Sequence, residues 1–200
     1  MNIVGIVGTN SKRSTNRQLL RFIQEHFKGQ FDMTLVEIDQ LPLFDKPEDR
    51  TLPASVQALV DVIDQADGVI ISTPEYDHSV PAALANALAW LSYGVYPLLD
   101  KPTMVTGASY GVLGSSRAQN HLRQMLNAPE LMARVMPGNE FLLGKSLEAF
   151  DKEGQMTDPQ KVQTLEKIME DFLLFIQITQ QLVHAKAQRQ EEVKQFSWDQ

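Results

Sequence analysis

The sequence predicts an α/β fold in which helices cover both faces of one parallel sheet. Short apolar runs alternate along the chain with longer segments whose apolar residues recur at helical spacing. The run Val69-Ile70-Ile71 has no polar residue at alternate positions, which indicates a strand covered on both faces. Regular alternation of strands and helices implies parallel pairing through right-handed crossovers.

The predicted elements follow one another from the N-terminus to a last long helix. Strands are predicted over residues 2–7, 33–38, 68–73, 103–108 and 139–143, and helices over 15–28, 54–65, 80–93, 116–126 and from 159 to about 186. Ser14, Ser79 and either Thr157 or Asp158 are the predicted N-caps, and Pro81 suits the first turn of its helix. This pattern matches a flavodoxin-like, doubly wound fold with a five-stranded parallel sheet in the order 2-1-3-4-5.

The predicted elements form one domain over residues 1–185, followed by a polar tail over residues 186–200. The tail carries Phe196 and Trp198 near its end. It is interpreted as a frayed helix end, with docking on a neighbouring subunit as the alternative.

Composition restricts the possible functions. The 200 residues are 43% hydrophobic and 22% charged, with a net charge of −7, which argues against general nucleic-acid binding. The chain has no cysteine, so any redox chemistry requires a bound cofactor. No segment reaches the roughly 20 apolar residues of a membrane span. No signal peptide is visible and the histidines lack metal-ligand spacing, so we expect a cytoplasmic protein without a metal or membrane partner.

The loop after the first strand, with the sequence GTNSKRSTN over residues 8–16, is predicted to bind a phosphate. It enters a helix, whose free N–H groups and dipole favour an anion. Four cations precede the first acid, Glu25: Lys12, Arg13, Arg17 and Arg21. The loop is neither a P-loop nor a Gly-x-Gly-x-x-Gly motif. Its polar side chains can each donate to a phosphate oxygen: Thr9, Ser11, Ser14 and Asn16. A polar capped turn is the alternative.

Two further loops are predicted to lie beside it, after the third and fourth strands. In the first, Pro74 ends strand pairing, the backbone amides of Glu75, Tyr76 and Asp77 face a ligand, and Tyr76 offers a flat surface to a planar ring. In the second, glycines at positions 107, 111 and 114 allow positive φ or close approach of the backbone.

Other readings of these loops stay open. Glu75 and Asp77 are a possible catalytic carboxylate pair, although nothing else in the sequence supports hydrolysis. His78 is a possible general acid, although a lone loop histidine is more often structural. Arg117 and Arg123 either meet a second, phosphate-bearing substrate or form a solvated face.

The helix from Val80 to Tyr93 is apolar nearly all round, which predicts burial on more than one side. Its many alanines allow another helix to approach closely. We therefore expect a homodimer, or a tetramer, to form through this helix, with packing inside the chain as the alternative.

These motifs resemble the NADPH-dependent FMN reductase family, which includes chromate, quinone and azo-dye reductases of flavodoxin-like fold. The most specific match is TPEYDHSVP over residues 73–81, followed by Leu84, Asn86, Ala87 and Trp90. A second match runs from Lys101-Pro102 to Arg123, and weaker ones cover residues 41–45 and the opening loop. The resemblance extends over roughly residues 1–180.

The resemblance implies a noncovalently bound FMN with NADPH as co-substrate. It assigns Thr9, Ser14 and Asn16 to the phosphate, with Ser11 and Arg13 beside them; Pro74, Glu75, Tyr76 and Asp77 to the ring; and Ser109 and Gly111 to the ring's far edge. The chain departs from the family at Ser11, often arginine; at Arg13, often glycine; and at Asp77, often asparagine. A carboxylate at position 77 would disfavour a reduced, anionic flavin.

The activity that the resemblance implies is hydride transfer from NADPH to FMN. Electrons then pass to a small acceptor such as a quinone, an azo compound, free flavin or a metal oxyanion. The cofactor performs this chemistry, so no side chain is assigned as acid, base or nucleophile. A one-electron carrier like flavodoxin and a flavin-free regulatory protein remain alternatives, because a fold does not fix a function.

Overall fold

The computed structural model describes residues 1–138, 140–182 and 193. Within these residues, six parallel strands form one sheet: β1 (Asn2–Val7), β2 (Asp32–Val36), β3 (Gly68–Ser72), β4 (Pro102–Ala108), β5 (Arg134–Val135) and β6 (Phe141–Leu143). The helices are α1 (Thr15–His26), α2 (Ala54–Asp64), α3 (Ala82–Leu91), α4 (Ser116–Leu126) and α5 (Pro159–Gln181). The strand order β2-β1-β3-β4-β5 confirms the predicted flavodoxin-like fold.

The outer edge beside β4 differs from the prediction, because two short strands occupy the place of one. β5 pairs with the start of β4, through Pro102 and Thr103, and β6 pairs with its end, from Thr106 to Ala108. Pro137 lacks an N–H for pairing, and Gly138 has a φ of +82°, so the chain leaves the sheet between the two strands. The sheet therefore has six strands rather than five.

Helices cover both faces of the sheet, as predicted. α2, α3 and α4 pack on one face, and α1 and α5 pack on the other. β3 shows how one strand serves both cores, because Val69 and Ile71 point to the first face and Ile70 to the second. All three side chains are fully buried, as the unbroken apolar run predicted.

Two of the predicted helix N-caps are confirmed, and one is wrong. The Oγ of Ser14 accepts a hydrogen bond from the N–H of Arg17 at 3.2 Å, and Asp158, rather than Thr157, caps α5. Ser79 does not cap α3, which begins at Ala82 with Pro81 before it. The hydroxyl of Ser79 instead lies 2.6 Å from Nδ1 of His121 in α4.

The bulky side of α3 packs against the loop that follows β2. The carbonyl oxygen of Pro42 accepts hydrogen bonds from Nδ2 of Asn86 at 2.9 Å and from Nε1 of Trp90 at 2.8 Å. The Phe44 ring then packs edge-on against Trp90, with the ring centroids 5.0 Å apart. The loop after β2 therefore covers the bulky side of the helix and leaves a narrow face of small residues for any further contact, formed by the exposed Ala82 and the partly buried Ala89.

The C-terminal predictions fall mostly outside the described residues. This holds for the end of the last helix near residue 186 and for the tail over residues 186–200, apart from Val193, which is buried. Within the described part of the chain, no helix combines the length and hydrophobicity needed to cross a membrane.

Candidate active site

A cavity of about 540 Å³ opens at the carboxyl ends of β1, β3 and β4, and it is formed by the three predicted loops. Its volume falls in the range of small-molecule and cofactor sites. The structure brings every predicted site residue into its wall except Asp77. The lining comprises Thr9, Ser11, Arg13, Ser14, Thr15, Asn16, Pro74, Glu75, Tyr76, His78, Ala108, Ser109, Tyr110, Gly111, Val112, Leu113 and Arg117.

The first loop presents a row of free backbone donors at the start of α1. No hydrogen-bond partner for the N–H groups of residues 12 to 16 lies within the described residues. Consecutive free N–H groups at a helix start form an anion site. The loop can approach β3 closely because residue 8 is glycine: a Cβ there would lie 2.6 Å from the carbonyl oxygen of Ser72.

Asn16 joins the three loops rather than offering its side chain to solvent. Its Oδ1 accepts hydrogen bonds from the N–H of Ala108 and the hydroxyl of Ser72, both at 2.8 Å. Its Nδ2 donates to the carbonyl oxygen of Ala108 at 2.9 Å. The residue is 2% exposed, so its side chain fixes the starts of α1 and of the loop after β4 relative to β3.

Among the four cations predicted near the phosphate, Arg13 lines the cavity, whereas Arg17 does not. The guanidinium of Arg17 makes a two-pronged ion pair with Glu37, and the hydrogen bond to that carboxylate raises the pKa of Arg17. No acceptor for the Arg13 guanidinium lies in the part of the chain that the structure describes. Arg13 therefore supplies an uncompensated positive charge at the phosphate end.

The loop after β3 contains a tight turn that was not predicted. The N–H of Tyr76 donates to the carbonyl oxygen of Ser79 at 3.0 Å, and the reciprocal bond is 2.9 Å. Asp77 and His78 at the tip have φ values of +49° and +63°, in the left-handed region. The turn uses the N–H of Tyr76, which the sequence predicted to face the ligand, and it leaves Asp77 outside the cavity wall while His78 lines the cavity.

The two acids of this loop are not brought together for catalysis. The carboxylate of Glu75 accepts hydrogen bonds from the backbone N–H of Arg117 at 3.0 Å and from its Nη1 at 3.1 Å. Asp77 is exposed and lies outside the cavity wall. Glu75 therefore ties the ring loop to the start of α4, and the carboxylate-pair interpretation has no geometric support.

Two tyrosines connect the ring loops to the first loop. The hydroxyl of Tyr76 lies 3.3 Å from Oγ1 of Thr9, and the hydroxyl of Tyr110 lies 3.5 Å from the carbonyl oxygen of Arg13. Both rings are about half exposed at the cavity mouth. Tyr110 and its exposed neighbours Val112 and Leu113 also line the cavity, but the sequence did not single them out as site residues. The signal that could have identified them is the occurrence of three large, mainly apolar side chains in a glycine-containing loop.

Arg117 and Arg123 have separate roles. Arg117 reaches the cavity but is paired with Glu75. The Nη1 of Arg123 donates to the carbonyl oxygen of Met136 at 2.9 Å, on the side of β5, and burial lowers the pKa of Arg123. Only the first is placed to meet a substrate. The described residues contain no cluster of acids and histidines suited to a metal ion.

Comparison with known proteins identifies relatives over nearly the whole chain. The family model for NADPH-dependent FMN reductases matches residues 1–148. The chain is 50% identical over 198 residues to the NADH:(hydroxy)cinnamate reductase subunit CrdA of Vibrio ruber, covering 99% of this chain and 98% of that protein. It is 38% identical over 185 residues to the NADH-dependent flavin reductase subunit 2 of Lactobacillus johnsonii, covering 90% of this chain and 100% of that protein.

A solved structure agrees with these relatives. FerB, a flavoenzyme NAD(P)H:(acceptor) oxidoreductase from Paracoccus denitrificans, superposes with a TM-score of 0.73 and is 28% identical. The match covers 89% of this chain and 98% of FerB.

Proposed function

The chain belongs to the NADPH-dependent FMN reductase family, and on this premise we propose that its cavity binds FMN. The chain is an NAD(P)H-dependent flavin oxidoreductase. In the proposal, the FMN phosphate lies on the first loop and the ring lies against the loops after β3 and β4. The observation that carries it is the row of free N–H groups at residues 12 to 16, beside the uncompensated Arg13.

The donor set favours a terminal phosphate. Residues 13 to 16 line the cavity and contribute four consecutive free N–H groups, and the Ser14 hydroxyl and the Arg13 guanidinium lie beside them. Such a cradle matches a dianion at the end of its ligand better than the internal pyrophosphate of FAD. We therefore propose FMN as the resident flavin.

The ring end of the cavity supplies flat apolar surfaces and backbone donors. Tyr76 and Tyr110 flank the mouth, and Leu113 adds an apolar wall. The N–H group of Glu75 has no partner in the described part of the chain, so it remains available as a donor. Pro74, Ser109 and Gly111 complete the proposed ring contacts.

Bound FMN would supply the redox chemistry, accepting a hydride from the nicotinamide and reducing a second substrate. The protein's part is to bind and orient: Glu75, held by Arg117, fixes the ring loop, and the two tyrosines flank the cavity mouth. No side chain is proposed as acid, base or nucleophile, in keeping with the cofactor's own reactivity.

The nicotinamide donor and the acceptor are proposed from the relatives. The names of the proteins from Vibrio ruber and Lactobacillus johnsonii specify NADH, which favours NADH over the NADPH of the family description. A quinone is the proposed acceptor, because a quinone reductase of Escherichia coli is 38% identical over 148 residues. Azo compounds, free flavin and metal oxyanions are the other electron acceptors to test.

The test begins with FMN titration of the purified chain, followed by anaerobic addition of NADH or NADPH. We expect FMN to bind one to one, its absorbance near the visible maximum to bleach with either nucleotide, and the colour to return when a benzoquinone is added. A chain that binds FMN but is not reduced by either nucleotide would support a carrier that acts beside another protein. Failure to bind any flavin would refute the proposal.

Assembly is part of the proposal as well. The names of both relatives describe subunits, which supports a second polypeptide in the working complex. The small-residue face of α3, with Leu43 standing 85% exposed beside it, is the proposed contact for a homodimer. Light scattering of the purified chain, as wild type and as Ala82→Arg, tests this: the substitution at an exposed position should produce a monomer without changing the far-UV spectrum.

A further inference from the structure

Arg17 makes an unusual set of contacts for a cation beside a phosphate loop. Its Nε and Nη2 donate to the two carboxylate oxygens of Glu37, the latter at 2.7 Å. Its Nη1 donates to two successive carbonyl oxygens of the loop, that of Ser11 at 2.9 Å and that of Lys12 at 3.1 Å. The side chain is 15% exposed and does not line the cavity.

These two carbonyl bonds determine where the free N–H groups point. A trans peptide is planar, so the N–H of each residue points away from the carbonyl of the residue before it. Holding the carbonyls of Ser11 and Lys12 toward Arg17 therefore turns the N–H groups of Lys12 and Arg13 to the opposite side of the loop. Ser11 and Arg13 line the cavity, and Arg17 does not, so the opposite side is the cavity side.

We propose that Arg17 is a positioning residue for the flavin phosphate and does not contact it. Arg17 fixes the peptide planes of the loop so that their N–H groups face the phosphate. Glu37, directly after β2, holds the guanidinium in an orientation in which Nη1 reaches both carbonyls. The planar fork of arginine matches this arrangement of two acceptors on each side, which a lysine ammonium cannot reproduce. The inference rests on the proposed function, because it presupposes that a phosphate occupies the loop.

Direct binding of the phosphate by Arg17 is the competing interpretation, and it makes the opposite prediction for Glu37. If Arg17 bound the phosphate directly after leaving Glu37, Glu37→Gln would release the guanidinium and strengthen FMN binding. If Arg17 positions the loop, Glu37→Gln loosens the clamp and weakens FMN binding. The two interpretations therefore predict opposite changes in FMN affinity for Glu37→Gln.

The experiment measures the dissociation constants of FMN and riboflavin by quenching of flavin fluorescence. Their ratio isolates the phosphate, since the two ligands share the ring and the ribityl chain. We expect Arg17→Gln to reduce the ratio about tenfold or more, because mispositioned donors lose charge-assisted hydrogen bonds. Riboflavin affinity should stay within about twofold, which also reports that the variant is folded.

Three further variants complete the design. Arg17→Lys should recover only part of the ratio, because it restores charge without the fork. The double variant Arg17→Gln/Glu37→Gln should bind no more weakly than Arg17→Gln, because residues that act as one unit are not additive. The matched control is Arg21→Gln, which removes the same charge from an exposed position on α1 and should leave the ratio within about twofold of wild type.

The outcomes separate the inference from the proposed function. A wild-type chain that binds FMN no better than riboflavin would refute the phosphate site itself, and this inference with it. If wild type prefers FMN, an unchanged ratio in Arg17→Gln overturns the inference alone. So does tighter FMN binding by Glu37→Gln, or an equal loss of the ratio in Arg21→Gln.

Discussion

The side-chain amide of Asn16 pairs with both backbone groups of Ala108, donating to its carbonyl oxygen at 2.9 Å and accepting from its N–H at 2.8 Å. The two residues lie 92 positions apart in the sequence and are both buried. This pair holds the phosphate loop against the end of β4, and the hydroxyl of Ser72 adds β3 to the junction. The geometry of the three loops therefore depends on one amide.

Asn16→Ala should lower the free energy of unfolding of the FMN-free protein by about 2–4 kcal/mol, since three buried groups lose their partners. Urea denaturation measures this change. Asn120→Ala is the matched control, because the same substitution on the exposed face of α4 should change stability by no more than about 0.5 kcal/mol. Equal effects of the two substitutions would contradict the role given to Asn16.

Ser14 combines a helix cap with a predicted phosphate contact, and two substitutions separate these roles. Ser14→Ala should cost about 1 kcal/mol of stability, whereas Ser14→Gly should cost only a few tenths, because glycine is an acceptable N-cap. Both should weaken FMN binding by about 1–2 kcal/mol if the hydroxyl bonds the phosphate. Calorimetric unfolding and FMN titration supply the two measurements. Ser14→Gly with wild-type FMN affinity would leave the hydroxyl as a cap only.

Two glycines, Gly107 near the end of β4 and Gly111 in the loop after it, should respond differently to an added methyl group. A Cβ on Gly107 would lie 2.2 Å from the carbonyl oxygen of Thr73, so Gly107→Ala should destabilise the chain by more than about 3 kcal/mol. A Cβ on Gly111 meets nothing within 4 Å, and its φ is not in the left-handed region, so Gly111→Ala should leave stability unchanged.

FMN affinity then distinguishes the role of Gly111. Because the position lines the cavity, we expect Gly111→Ala to weaken FMN binding while the unfolding curve of the free protein stays at the wild-type midpoint. Unaltered affinity would place the ring away from this loop. Thermal melting of the free proteins and fluorescence titration provide the comparison.

The turn at Asp77 offers a stabilising substitution. Two-residue turns with positive φ at both central positions prefer Asn-Gly, and this turn contains Asp77 and His78. Asp77→Asn should therefore raise the free energy of unfolding by roughly 0.5 kcal/mol, since asparagine tolerates this conformation well. Chemical denaturation measures the gain.

FMN affinity of the same variant tests the predicted cofactor contact of Asp77. The residue lies outside the cavity wall, so Asp77→Asn should leave the dissociation constant within about twofold, with Tyr76→Ala as the variant expected to weaken binding. A large change in Asp77→Asn would restore the contact that the sequence suggested.

The sequence predicted the layers of the fold because each strand and helix carried its own local pattern. Ile70 lies between two residues that face the other core. The unbroken apolar run that it forms with them was enough to assign it to a buried strand. The two-residue strand β5 was missed because so short a segment has no periodicity to detect. Ser79 was assigned as a helix cap because a hydroxyl before a proline fits that pattern, whereas the structure uses its backbone in the turn with Tyr76.

The candidate site was predictable to the extent that it lies in loops after parallel strands. Position in the chain placed Thr9, Tyr76 and Ser109 at one edge of the sheet. The roles of the polar groups were less accessible. The partners of Asn16 and Arg17 come from β3, β4 and the residue after β2, and no local pattern reports such distant hydrogen bonds.

The divided margin of the sheet beside β4 has a consequence for solubility at high concentration. A continuous border strand would offer an unbroken row of amides on which another molecule could extend the sheet. Here Pro137 and Gly138 interrupt that row between two very short strands. The border therefore offers an incoming strand too few consecutive backbone groups for stable pairing, which disfavours the formation of fibrils at this side of the sheet.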